Sequence, residues 1–538
     1  MSRRTPFFYA FVGLWILALA LRLGQIQILQ HDEYLARSLH TQKVEEFVRR
    51  ADILDRNGRL LAGSAAGFSL SVALDARSAS FTPADLQAVA TCLRLPLDRV
   101  RAAAAKRSGY AVITRKAEYE QIQALRALGL KGLLLPRQHQ RVYPYEELTE
   151  HLLGFVDYKE DGQAGLEQRY DGRLNGRPGS KLVLRDSRRA SYDLDQVLEA
   201  PEPGVPLETT LDIPLQFVCA QALAGLEAVC RPAWASATVM DPHTGALLAH
   251  AIWPPFTPDS RGRVRDEHLA SHFFEPGSII KPLLAEAVLA KGLARPGEVI
   301  ACGYGSTTVL GRTIRDHAEY GNLTFTETLM FSSNVGCIKW GQRLSDEAFL
   351  DRLQRFGLGR RTGIDLSPES SGSLPPLRRV NALTKAYMSI GQGMAVTHAQ
   401  VLQAYAALAN GGDLVTPHWA KDFPVVRTPA ADPKVLGTLR DILTQTVTAG
   451  TGKKAEVAGV AWAGKTGTAQ KAEAGRGYVE GNYVSSFVGW FPVERPEVLI
   501  FVVVSEPQGL YYGSDVAAPV ARDIAFYLSL EGVPRETV

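Results

Sequence analysis

The chain has 538 residues, 46% of them hydrophobic and 21% charged, an ordinary globular composition with length for roughly two to four domains. A formal charge of +3 supplies no basic field for nucleic acid. Cys92, Cys219, Cys230, Cys302 and Cys337 contain no C-x-x-C spacing and read as buried single thiols; His268 and His272 are four apart but belong to no H-E-x-x-H string, so neither a disulfide framework nor a metal is expected.

Arg3 and Arg4 precede an unbroken apolar run over residues 7–21. At 1.5 Å per residue that run is about 22 Å long, short of a ~30 Å hydrocarbon core. Carried to Leu29 it reaches about 34 Å and takes in Arg22, Gln25 and Gln27. Arg22, near the outer end, can snorkel to headgroups. Arginines before the run and few just after it place the N-terminus in the cytoplasm and the rest of the chain outside. A cleaved signal peptide is the competing reading, because Ala18-Leu19-Ala20 fits the small-x-small rule. That triplet lies inside the apolar run, with no polar segment before the cut. Residues 1–29 are therefore expected to be a cytoplasmic tail and one uncleaved transmembrane helix.

Residues 24–48 read as an amphipathic helix leaving the membrane. Asn57-Gly58 between apolar segments predicts a hairpin. Residues 83–135 alternate helical patterns with short strands. A mixed stretch follows and closes at Gly176-Arg177-Pro178-Gly179. Pro201, Pro203, Gly204 and Pro206 form a linker, which puts a domain boundary between 30–205 and 206–538. Beyond it, strands over 235–241 and 246–253 are joined by Pro242-His243-Thr244-Gly245. A mostly helical segment runs over 278–449. Strands over 460–470, 484–493 and 498–505 follow, and a helix over 516–530 comes last. The predicted class is α+β: an antiparallel sheet with helices, plus a helical subdomain.

Three short strings carry the chemistry. In Ser278-Ile279-Ile280-Lys281, Glu275-Pro276-Gly277 breaks the chain just before the serine, and Pro282 is tolerated only in a first helical turn. Ser278 is therefore placed at a helix start, with Lys281 one turn on, on the same face. A serine hydroxyl needs a base, and a lysine serves if burial and a nearby cation depress its pKa. Lys465 is the expected cation. Ser332-Ser333-Asn334 follows a helical pattern and can aim a hydroxyl and an amide into a cleft. Lys465-Thr466-Gly467-Thr468 lies on a predicted strand; Gly467 leaves room for a substrate backbone, and its neighbours suit a carboxylate. Alone, each string is as well explained by an N-cap, a turn or an edge strand. Together and in this order they form the S-x-x-K, S-x-N, K-T-G set of serine acyl-transfer sites.

Longer strings extend the match. Arg50-Ala51-Asp52-Ile53-Leu54-Asp55-Arg56-Asn57-Gly58, Arg141-Val142-Tyr143-Pro144, residues 151–157 and 165–179, Thr210-Leu211-Asp212, Gly391-Gln392-Gly393, Tyr483-Val484-Ser485-Ser486 and Tyr511-Tyr512-Gly513 all take part. On these the chain resembles the class B penicillin-binding proteins, most closely the division-specific (septal, FtsI-like) peptidoglycan D,D-transpeptidases. The resemblance covers nearly the whole length. It implies a single transmembrane helix in the bacterial cytoplasmic (inner) membrane, a mixed α/β pedestal over 30–205 and a periplasmic penicillin-binding transpeptidase domain over 206–538. It implies that Ser278 is acylated by the D-Ala-D-Ala end of a donor stem peptide, with Lys281 as base and Ser332 as proton relay. Asn334 would hold the donor's amide. Lys465, Thr466 and Thr468 beside Gly467 would bind its carboxylate, and the N–H groups of Ser278 and Thr468 would form an oxyanion hole. No cofactor is implied. The expected partners are an amine acceptor stem, β-lactams as inhibitors, an FtsW-like glycan polymerase and other division proteins.

The chain departs from the family pattern at Ala51, His250, Glu267, His268 and Ser514, none of them in the three strings. A carboxypeptidase or β-lactamase of the same fold, and a silent β-lactam sensor, are the alternatives. The anchor and pedestal argue against the first, the intact strings against the second. No E-D-x-x-F-x-x-H string of a glycosyltransferase occurs in residues 30–205.

Overall fold

The computed structural model describes residues 5–30, 40–46, 48–67, 72–74, 81–106, 111–114, 117–135, 138–157, 159–185, 191–255, 269–473 and 477–532. Glu267, His268 and residues 31–39 of the expected amphipathic helix lie outside them. The described chain divides into two compact units, Met1–Ala51 with Gly172–Val205, and Asp52–Asp171 with Pro206–Val538.

In the first unit, helix α1 (Thr5–Gly24) runs on into a π-helical turn, Gln25–Leu29. The stretch Phe7–Leu29 is long and apolar enough to cross a membrane, and none of it is buried in the protein. Arg22 donates to Gln25 Oε1 at 2.8 Å. Strand β1 (His40–Glu46) corrects the amphipathic helix expected over 24–48. It pairs antiparallel with β2 (Gly179–Arg185), which pairs with β3 (Ser191–Glu199). A seven-residue ladder with a partner far along the chain outweighs local periodicity. Ala51 sits without strain where the family has glycine. Its N–H donates to Leu174 O at 2.9 Å, and Gly204 leaves room for its methyl group.

In the second unit the Asn57-Gly58 hairpin forms as expected. Gly58 has φ +81°, and the buried Asp55 carboxylate accepts the N–H groups of Asn57 and Arg59 at 2.8 and 2.7 Å. Arg141 Nε donates to Glu167 Oε1 at 2.7 Å with both side chains buried, so two distant sequence strings meet in one ion pair. Helices Pro83–Leu93, Leu97–Ala104 and Tyr119–Ala127 cover a small sheet built on Val72–Leu74.

The main sheet contains β4 (Trp234–Met240), β5 (Leu247–Trp253), β6 (Ala463–Glu473), β7 (Gly477–Phe491) and β8 (Val498–Ser505), in the order β5-β4-β8-β7-β6, antiparallel throughout. Central β8, Val-Leu-Ile-Phe-Val-Val-Val-Ser, is buried along its whole length, as a strand covered on both faces must be. The terminal helix Gly513–Leu530 and helix Ile213–Ala224 pack on one face with Leu223, Val502 and Ile524 in the core. His250 is wholly buried, its Nδ1 2.9 Å from Thr238 Oγ1. The other buried ring beside it, His151, has Nε2 2.7 Å from His250 O, and burial pushes its pKa down to about 4. The segment 278–449 is helical as expected, but short antiparallel pairs interrupt it, among them Ser306–Val309 with Arg312–Arg315. The five cysteines are free; Cys92 alone of them is only half-buried.

Candidate active site

Gly277 takes φ +57° and opens a 3₁₀ turn, Gly277–Ile280, that leads into helix α2 (Lys281–Ala290), with Pro282 in its first turn. Ser278 thus sits in the turn that starts the helix. Gly277 N–H donates to Gly391 O at 3.1 Å, and Tyr405, wholly buried, donates its Oη to Ile279 O at 2.7 Å. A Cβ on Gly391 would fall 2.1 Å from Gly277 O, and Gly391 itself has φ +76°. Gly393 N–H donates to Glu275 Oε1 at 2.9 Å. The Gly391-Gln392-Gly393 string is therefore a clamp on the turn that carries Ser278.

Lys281 and Lys465 are wholly buried behind the cleft wall. Lys281 Nζ donates to Ser332 O at 2.7 Å, Asn334 Oδ1 at 2.8 Å and Ser332 Oγ at 3.2 Å. Lys465 Nζ donates to the same Ser332 Oγ at 2.9 Å and to Thr466 O at 2.9 Å. Ser332 has φ +57°, a left-handed backbone rare outside glycine, and that conformation turns its carbonyl and its hydroxyl toward one amine. Burial pushes the pKa of Lys281 down. Burial and then the charge of Lys281 push Lys465 well below the ordinary lysine range. Sequence alone makes Lys465 the cation that depresses Lys281; in the structure desolvation leads for Lys281 and the repulsion bears on Lys465. The hydroxyl of Ser278 has no hydrogen-bond partner among the described residues.

Ser333 caps helix α3 (Asn334–Gln342), accepting from Gly336 N–H at 3.0 Å. Its hydroxyl donates to Asp316 Oδ2 at 2.8 Å. Asp316 Oδ1 accepts from Asn334 N–H in a short bond and from Val335 N–H at 3.1 Å. A carboxylate at a helix N-terminus is favourably placed against the backbone dipoles. Asn334 Nδ2 donates to Arg315 O at 2.9 Å. The hairpin over 306–315 thus fixes the Ser332-Ser333-Asn334 loop. Asp316 and Tyr405 brace the candidate site by these hydrogen bonds, and sequence reasoning misses both. Each is a single residue outside any string.

Lys465 to Thr468 pair with Val488 to Ser485 on β7. A Cβ on Gly467 would meet Ser486 Oγ at 2.4 Å and Ile279 Cγ2 at 2.9 Å. The glycine is required by the packing of β6 on β7 and on the Ser278 turn, rather than by an open approach for substrate backbone alone. Thr466 Oγ1 lies 2.8 Å from Thr451 Oγ1, and Thr468 Oγ1 accepts Gly513 N–H at 3.0 Å. Tyr511 stacks on Tyr483 with ring centroids 4.3 Å apart.

A cleft of about 600 Å³ is lined by Ser278, Ser332, Asn334, Thr466, Gly467 and Thr468, among others. So the three strings meet in one place, with the two lysines just behind it. A larger cleft, about 1020 Å³ around Arg56, Asp212 and Arg495, contains no member of them.

A family model described as the penicillin binding protein transpeptidase domain matches residues 235–525, and one described as the penicillin-binding protein dimerisation domain matches residues 45–209. Stage V sporulation protein D of Bacillus subtilis is 30% identical, over 97% of this chain and 85% of its own. The peptidoglycan D,D-transpeptidase FtsI of Escherichia coli K12 is 30% identical, over 94% of this chain and 89% of its own. Among solved structures, penicillin binding protein 3 from Mycobacterium tuberculosis complexed with aztreonam superposes with a TM-score of 0.68 at 27% identity, covering 92% of this chain and 98% of that one.

Proposed function

The chain belongs to the class B penicillin-binding proteins, and from that premise we propose that it is a septal peptidoglycan D,D-transpeptidase working through an acyl-enzyme on Ser278. One observation carries the site assignment. Ser332 Oγ is hydrogen-bonded to both buried lysines at the wall of the cleft that Ser278 lines. Lys281 takes the Ser278 proton as Oγ attacks the penultimate D-alanine carbonyl of the donor stem. Ser332 passes a proton to the departing D-alanine. Asn334 holds the donor's amide. Thr466 and Thr468, with the buried Lys465 just behind them, receive its terminal carboxylate, and Gly467 keeps β6 close to the Ser278 turn. The N–H groups of Ser278 and Thr468 receive the oxyanion. β-Lactams enter the same site and acylate the same oxygen.

The second half-reaction is transfer to an amine of a neighbouring stem, with hydrolysis minor. Of the residues lining the described cleft, Asp316 is the one carboxylate, and its oxygens are already engaged by Ser333, Asn334 and Val335. No carboxylate there is left to activate water as a β-lactamase glutamate does. Residues 1–29 anchor the chain in the inner membrane with the N-terminus in the cytoplasm, residues 30–205 serve as a pedestal, and residues 206–538 act at the septum. Arg22, Gln25 and Gln27 favour docking of the anchor on a polytopic partner such as an FtsW-like glycan polymerase, because facing lipid they would be costly. The test feeds a thioester or pentapeptide donor with and without a D-amino acid acceptor and counts products by mass spectrometry. Acceptor adduct should dominate. Rapid hydrolysis with no adduct would move the assignment to a carboxypeptidase.

A further inference from the structure

His317 lines the same cleft as Ser278, Ser332 and Asn334, one residue after Asp316, and the reaction just described gives it no task. The residue is exposed at the cleft, and its ring Nε2 lies 3.0 Å from Tyr320 Oη. Tyr320 stacks on Phe331, centroids 6.0 Å apart at 17°, and so ties the imidazole to the helix end that precedes Ser332.

The acceptor step has a proton to spare. An alkyl acceptor amine is an ammonium with a pKa near ~10.4, so at neutral pH less than about one molecule in a thousand carries a free lone pair. Amide formation removes two protons from that nitrogen. Lys281 can take one during attack and return it to Ser278 Oγ as the ester breaks. The other must leave first. Lys281 and Lys465 are buried behind the wall, and Asp316 is engaged at the start of α3.

We propose that His317 accepts this first proton from the incoming acceptor ammonium and delivers a neutral amine to the acyl-Ser278 carbonyl. The inference rests on the transpeptidase assignment above. The step balances: ammonium and neutral imidazole become amine and imidazolium. The C–N bond then forms, the C–Oγ bond breaks, the second proton reaches Ser278 Oγ through Lys281, and the imidazolium releases its proton to solvent. The first transfer is uphill and is drawn forward by attack. The charges that act on His317 are Asp316 from its own segment, Lys281 from α2 and Lys465 from β6, and Tyr320 touches its ring. Partial burial, then Lys281 and Lys465, lower its pKa, and Asp316 opposes them.

The test compares wild type, His317→Gln and His317→Ala with a thioester donor and two acceptors at neutral pH. One is a D-amino acid whose amine is protonated; the other is hydroxylamine, which is largely unprotonated. The ratio of aminolysis to hydrolysis should fall at least about 10-fold with the protonated amine, less than a sole general base supplies because water can take this proton slowly. It should change less than about 2-fold with hydroxylamine, whose attack needs no prior deprotonation. Equal falls with both acceptors would make His317 a shape contact and overturn the proposal, as would no fall with either. Penicillin acylation is measured alongside. If the wild type is not acylated at Ser278, the parent assignment fails and takes this inference with it; if it is, the acceptor comparison alone decides.

Discussion

Lys281→Met should nearly abolish acylation of Ser278 while the protein remains folded. A positioned general base is worth about 10²–10⁴ in rate, and this amine also holds Ser332 and Asn334 through three hydrogen bonds. A fall of at least about 10³-fold in the second-order rate constant for a fluorescent penicillin is expected. Methionine matches the length of the lysine stem. It leaves Ser332 O and Asn334 Oδ1 without a donor, at about 1–3 kcal/mol, partly offset by removing a buried amine. Thermal unfolding should therefore stay cooperative. The wild-type pH profile follows from the same group. In the role proposed for it the base form of Lys281 is the active one, and its pKa is lowered by burial. Acylation should fall as pH drops through that lowered pKa and hold at higher pH, with the inflection below the ordinary lysine value of 10.5. A variant within tenfold of wild type would remove Lys281 from the role of base.

The second large effect is expected at a glycine that touches no substrate. In Gly391→Ala the new methyl would stand 2.1 Å from Gly277 O, on a backbone at φ +76°. Backbone atoms cannot give way as a flexible side chain can, so the turn carrying Ser278 must shift. A 1 Å misplacement at a reacting group costs on the order of 10²-fold, and acylation should fall at least that far. Gly393→Ala is the matched control two residues on. It has φ +71° but nothing within 4 Å of the new Cβ. It should cost only the left-handed backbone penalty, about 1–2 kcal/mol, with acylation little changed. Equal effects at the two positions would show that backbone strain, not contact with Gly277, governs the clamp.

These two sites differ in how far sequence reveals them. Ser278 and Lys281 are legible because a helix break, Pro282 and one-turn spacing are local signals. The strands 234–240, 247–253 and 498–505 are legible for the same reason, as apolar runs between turns. Gly391 is legible as part of a string but not as a clamp, because its partner, Gly277, lies 114 positions away in sequence and touches it only in the fold. Asp316 and Tyr405 carry no pattern at all; a single acid or phenol gains a role only from what folding brings to it. Strand β1 hides for a related reason, since its ladder partner enters the chain much later. The hairpin over 306–315 is short and largely exposed, so its apolar alternation is too weak to stand out within a helical segment. Residues 53–54 pair in parallel with 207–208 inside the second compact unit, a bridge of two residues that no local pattern signals.

The central claim is that Ser278 is the acylated residue. Fluorescent penicillin is added to wild type and Ser278→Ala, and the labelled protein is digested and mapped by mass spectrometry. One adduct is predicted, on the peptide that contains Ser278-Ile279-Ile280-Lys281, and none on a Ser278→Ala protein that still unfolds cooperatively. Label that survives the substitution, or that maps to any other residue, would contradict the account.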